Sequence, residues 1–177
     1  MAPLFLPLWS DFMRLIFAAF TFLFFLSGVA HAQSQQTFGS WSLLCGDQGN
    51  CSVSQLVAMD PEGKKVLLGA NVNFSMSNSF PVLMLRMPPN LNKTSGVGIK
   101  IDDNKAIQVA LSQCTAVACQ SVIKIDKTLF AELRDGKLAK VAFALEKSKQ
   151  LTLPLSLNGF AEAYKALLDS RKTSEGR

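Results

Sequence analysis

Four cysteines, Cys45, Cys51, Cys114 and Cys119, are the residues of this chain best equipped for chemistry, spaced as C-x5-C and C-x4-C. Neither spacing matches the C-x-x-C redox motif or the common zinc-knuckle pattern, so structural disulfides are the expected use. Four cysteines allow three pairings. The local one, Cys45 with Cys51 and Cys114 with Cys119, is expected because each pair brackets a turn-like segment. Loop-closure entropy alone favours a longer link, at about 2 kcal/mol for a short loop against roughly 4.5 for Cys45–Cys119.

The remaining chemistry is defined by what it lacks. The one histidine, His31, falls within an N-terminal leader, and its loss removes Ser-His-Asp and Cys-His arrangements together with the usual proton shuttle and metal ligand. Paired carboxylates could serve a glycosidase. The candidates are Asp102 with Asp103 and Glu132 with Asp135, all in turn or helix-end contexts where a solvated carboxylate is far commoner. Gly96-Val-Gly98 opens a strand and not a helix, so it is no phosphate loop. No catalytic, cofactor or metal residues are assigned.

Net charge is +5 and the calculated pI is about 9.1. Lys137, Lys140, Lys147 and Lys149 cluster on the last hairpin, and Lys64-Lys65 form another pair. Single-strand nucleic-acid binders interleave such charge with stacking aromatics. Here one Trp and one Tyr remain outside the leader, both at positions that read as buried. Nucleic acid is therefore not expected, and the lysines read as a solvated face or a weak contact for an anionic surface. Gln55 shares a strand face with Cys51 and Val53, as a buried hydrogen-bonded amide or an exposed one. Met76, Met84 and Met87 follow strand spacing and are expected to fill core gaps.

These residues must be positioned by the elements around them. Residues 15–29 are a nearly unbroken apolar run, preceded by Arg14 and followed by Ala30-His31-Ala32. That order is a secretory signal peptide, with cleavage expected after Ala32 and no membrane span remaining afterwards. Pro3, Pro7 and Asp11 suit no signal n-region, whereas Met13-Arg14 begins an ordinary one, so Met13 is a candidate true start. Of 177 residues, 145 remain from Gln33 onward, and the leader's only charges are Asp11 and Arg14, so the net charge is unchanged. One domain spanning 33–177 is expected at this length.

Past a frayed polar start at 33–37, residues 38–45 alternate with Trp41, Leu43 and Cys45 on one face, as a half-buried strand requires. Residues 51–58 form the return strand, and 65–76 a longer one bent at Gly69. Further strands are read at 80–87, 97–101, 106–112 and 119–125. Asp126 caps a helix over 127–134. A hairpin over 138–146 and 150–157 follows, and Asn158 caps a closing helix through Asp169, with 172–177 disordered. About nine short strands with turn signals between them favour an all-β antiparallel sandwich with a short C-terminal helix.

Taken in order, Phe38-Gly-Ser-Trp41-x3-Cys45, Cys51-x3-Gln55, Leu83-x4-Pro88, Cys114-x4-Cys119, Gly136-Lys137 and Leu157-Asn-Gly159-Phe160 resemble the invasion-associated locus B family. These are small exported proteins of alphaproteobacteria, and the likeness runs over residues 37–169. The resemblance implies an immunoglobulin-like β-sandwich in the periplasm or outer envelope with no known enzymatic activity. It supplies no catalytic residues. The expectation is a non-enzymatic periplasmic protein that binds another protein or envelope component, with outer-membrane association or secretion as variants. A surface adhesion or invasion factor contacting host cells is the alternative.

Overall fold

The computed structural model describes residues 35–46, 50–58, 65–74, 80–145 and 150–175. The leader, the turn at 60–63, Lys64, Met76, Lys147 and Lys149 lie outside them. Strands β1 (Gln35–Phe38), β2 (Trp41–Cys45), β3 (Cys51–Ala58), β4 (Val66–Phe74) and β5 (Pro81–Met87) form an antiparallel meander. Beyond β5, the same sheet continues through Cys119–Lys124 to a two-residue edge at Gln113–Cys114. A second, smaller sheet is built from β6 (Val97–Ile101), β7 (Ile107–Val109) and a later hairpin. With β8 (Gln113–Cys114), β9 (Cys119–Lys124), β10 (Leu138–Ala144) and β11 (Gln150–Ser156), the large sheet runs β1-β2-β3-β4-β5-β9-β8 and the small one β11-β10-β6-β7. The architecture is thus an antiparallel β-sandwich with sheets of seven and four strands.

Period-two alternation explains the layers. On the large sheet Trp41, Leu43, Val53, Val72, Leu83, Leu85 and Met87 point inward and are buried. Val97, Ile99, Ile101, Ala139, Val141, Phe143 and Leu155 do the same from the small sheet. Each fully buried branched or aromatic side chain contributes about 1.5–3 kcal/mol of apolar transfer, enough to specify register, since a one-residue slip would turn every one of them to solvent.

Two helices complete the interior. Helix α1 (Lys127–Asp135) begins where the Asp126 carboxylate accepts the Leu129 N–H at 2.8 Å. Helix α2 (Phe160–Glu175) lies over β1, β2 and β3 and against α1, burying Phe160, Ala163, Tyr164 and Leu167. The Trp41 and Phe160 rings meet edge-on at 5.2 Å, and Phe130 of α1 meets Tyr164 at 4.8 Å. These contacts make α2 part of the core.

Several expectations are corrected. The polar start at 35–37 is not frayed, because it forms edge strand β1, and the strand read over 38–45 is broken by a two-residue turn at Gly39 and Ser40. The bend expected at Gly69 falls at Leu67, where the ladder skips from Leu68 to Val66 opposite Val57 and Ala58. Gly69 itself stays in register between Leu56 and Arg86. The closing helix does not stop at Asp169. It continues through Glu175, with Lys172 in its last turn. Asn158 is not the cap either, since Gly159 and Leu157 carbonyls accept the first helical N–H groups, those of Ala163 and Phe160. Met84 faces outward opposite Asn71 and Val122, because Leu83, Leu85 and Met87 own the inward parity of β5.

Candidate functional site

At one end of the sandwich the β1–β2 turn, the β11–α2 loop, the α1–β10 loop and the β6–β7 turn converge. Gly39 adopts φ +55 in its two-residue turn, and a Cβ there would sit 2.6 Å from the Asn158 carbonyl oxygen. Facing it, Gly159 adopts φ +84, and a Cβ would overlap the Phe38 carbonyl. This mutual close approach lets Ser40 N–H donate to Asn158 O at 3.0 Å. Asp102, itself at φ +45, accepts the Lys137 and Leu138 N–H groups at 2.9 and 3.0 Å, so its carboxylate organises the loop that starts β10.

Gln55 is a polar link between the two sheets. Buried on β3, it donates from Nε2 to Ser156 O at 2.9 Å and accepts the Ser156 N–H at 3.0 Å. The side-chain amide offers β11 the donor and acceptor that a neighbouring strand would offer. Trp41 Nε1 donates to the same Ser156 carbonyl at 2.9 Å. Of the two readings open for Gln55 from the sequence, the buried one holds. Its partner, 101 residues away, had no sequence signal.

A shallow depression of about 290 Å3 opens at this end between Arg134, Lys137, Asn158 and Glu162. Arg134 is committed to Asp135 by two hydrogen bonds of 2.7 and 2.6 Å. That pairing holds the Asp135 carboxyl below its ordinary range and raises the Arg134 guanidinium. Of the carboxylates considered for catalysis, Asp102 is occupied by backbone N–H groups and Asp135 by Arg134, Asp103 lies exposed in the β6–β7 turn, and Glu132 is half-buried on α1. Among the described residues no three His, Cys, Asp or Glu side chains cluster as a metal site.

The two disulfides are Cys45–Cys51 and Cys114–Cys119. Each joins residues directly opposite in an antiparallel ladder, β2 to β3 and β8 to β9, with Cα atoms 4.0 Å apart. Both cross-links are local, on strands at or near the edges of the large sheet.

The outward face of the small sheet carries its charge. The segments VGIKI, IQV, LAKVAFA and QLTLPLS hold two charged side chains, Lys100 on β6 and Lys140 on β10. Register places them directly opposite one another, both exposed. Pro154 flanks Lys140 on β11, and the adjacent row is Gln108, Gly98, Ala142 and Thr152. Lys137, also exposed, stands one residue before β10. Of the lysines picked out from the sequence, Lys137 and Lys140 are thus on or beside this face, and Lys147 and Lys149 lie outside the described residues. Lys100 was missed, although it is the exposed fourth residue of an alternating pentapeptide.

With this geometry in place, the likeness to known proteins is informative. A family model described as "Invasion associated locus B (IalB) protein" matches residues 41–168. Two Brucella abortus proteins named Invasion protein B homolog, from strain 2308 and from biovar 1 strain 9-941, are each 29% identical over 162 residues. These alignments cover 85% of this chain and 92% of theirs. The crystal structure of invasion associated protein B from Bartonella henselae matches with a TM-score of 0.68 and 26% identity, covering 78% of this chain and 99% of that one.

Proposed function

The chain belongs to the invasion associated locus B family, and on that premise we propose that it is a non-enzymatic exported protein that binds another component of the cell envelope. The observation that carries the binding reading is the outward lysine pair on the small sheet, where register sets two like charges directly opposite each other. Export is supported by the charge, apolar core and A-x-A order of residues 14–32. The two disulfides point the same way, because such bonds persist in oxidising compartments. Lys137 and Lys140 belong to the same contact, joined by Lys100. No helix among the described residues is long and apolar enough to cross a membrane.

The second reading takes the relatives' printed names at their word, as invasion proteins. It places the protein on the outer surface, contacting host cells. Protease shaving separates the two. Cleavage only after the outer membrane is opened supports the periplasmic binder. Cleavage on intact cells would replace it with the outward-facing reading.

A further inference from the structure

Lys100 and Lys140 occupy a position that stability alone does not explain. Like charges directly opposite in an antiparallel pair lie with Cβ atoms about 5 Å apart and repel. Lysines are often kept on strands to protect an open edge from pairing with another chain. That explanation fails here, since the order β11-β10-β6-β7 makes both β6 and β10 internal strands. The four strands carry no acidic side chain, and the Asp102 carboxylate just beyond β6 is taken up by the Lys137 and Leu138 N–H groups. Around the pair, the outward row on one side is Gln108, Gly98, Ala142 and Thr152, with the uncharged Gln108 amide lying beside Gly98, while Pro154 stands beside Lys140 and Lys137 at the strand start.

We propose that this face docks on the phosphate groups of a lipid headgroup layer, with Lys100 and Lys140 as its centre. The inference rests on the envelope-binding reading and names its partner chemistry. A single free anion would gain little here, because the lysines stand on an open sheet and both they and the ion would stay hydrated. A layer differs: it presents many phosphates in one plane, and Gly98, Ala142 and Pro154 beside the pair leave both ammonium groups open to that plane, with the Gln108 amide able to donate to it as well. An acidic protein would have to match a surface with almost no relief to grip.

The test uses the full chain, purified from cells expressing it, with phosphatidylglycerol-containing and purely phosphatidylcholine vesicles at low and high salt. Each juxtamembrane lysine multiplies partition by a factor of about five, so Lys100→Gln with Lys140→Gln should weaken binding to the anionic vesicles about thirtyfold. The control neutralises the same number of exposed lysines on the helices, Lys127→Gln with Lys165→Gln, and should lose only a small part of that. Lys100→Gln alone should also raise the melting temperature by about 1–2 °C at low salt, because relief of cross-strand repulsion is stabilising. Weaker binding by Lys100→Gln, the same variant that gains stability, shows that it folds and that the pair serves a partner.

Equal loss in the control would overturn the proposal, leaving net charge as the cause. So would wild-type protein that ignores anionic vesicles, including the case in which it binds an acidic polypeptide instead. Binding that neither double variant weakens would also overturn it, by moving the contact elsewhere. None of these outcomes bears on where the cell keeps the protein, so the shaving experiment can fail or succeed independently.

Discussion

The β10–β11 hairpin contributes to two regions that treat polar groups in opposite ways. At the loop end, Ser156 has its N–H and carbonyl both satisfied by Gln55, with Trp41 added to the carbonyl. Midway along the same hairpin, Lys140 faces Lys100 and neither has an acidic partner among the described residues. Buried polar groups left unpaired cost about 1–3 kcal/mol each, so the first region must be complete for the sandwich to close. Exposed like charges cost only a fraction of that, so the second region tolerates the conflict. Architecture takes up the polar chemistry at the loop end; the open face keeps its charge free for the contact proposed above.

That contrast can be broken most severely at Gly159. Gly159→Ala would force a side chain into φ +84 and into the Phe38 carbonyl, and a loss of about 3 kcal/mol or more is expected in denaturant melts. A variant as stable as wild type would show that the junction yields easily and the contrast is overstated. Next comes Gln55→Leu, which keeps the volume but leaves the Ser156 N–H unanswered. A cost of about 2 kcal/mol is expected.

Replacing Cys45 and Cys51 together by Ser should cost about 2 kcal/mol through the closure entropy of a short loop, read as a lower midpoint under otherwise identical conditions. The smallest effects sit on the surface. The stabilisation from Lys100→Gln should vanish at 1 M salt, where the screening length falls to about 3 Å. A gain that survives high salt would point to packing and not to charge.

Tyr164 adds a pH prediction on the core side of the comparison. Burial against Phe160 and Phe130 pushes its hydroxyl above the ordinary value. A group with a raised folded-state value contributes stability that is complete below the unfolded pKa, about 10, and is lost as pH climbs through the folded one. Stability should therefore decline in the alkaline range, and Tyr164→Phe should reduce that part of the decline. An unchanged alkaline profile in the Phe variant would assign the loss to other groups.

Much of the β-sandwich was legible because its cause is local. Trp41, Leu43, Val53, Leu83 and Leu85 announce their inward faces by alternation alone, and Asp126 announces a helix start by type and position. What went astray had a physical reason in each case. The bulge at Leu67 leaves no mark that distinguishes it from the glycine two residues later, since adjacent Leu67 and Leu68 are both apolar in any register. The polar stretch at 35–37 forms a strand because β2 offers it a partner, not through its own propensity.

By itself, then, the sequence determined which residues face inward, where most strands begin and end, and that four cysteines stand at the ends of short turns, because period two and turn chemistry act over a few residues. Only the tertiary structure decided that Gln55 reaches Ser156, that Gly39 and Gly159 face each other, that Asp102 organises the start of β10, and that Lys100 stands opposite Lys140. Each of these joins segments 35 or more residues apart, and side-chain types along a chain carry no record of which distant backbone they will meet.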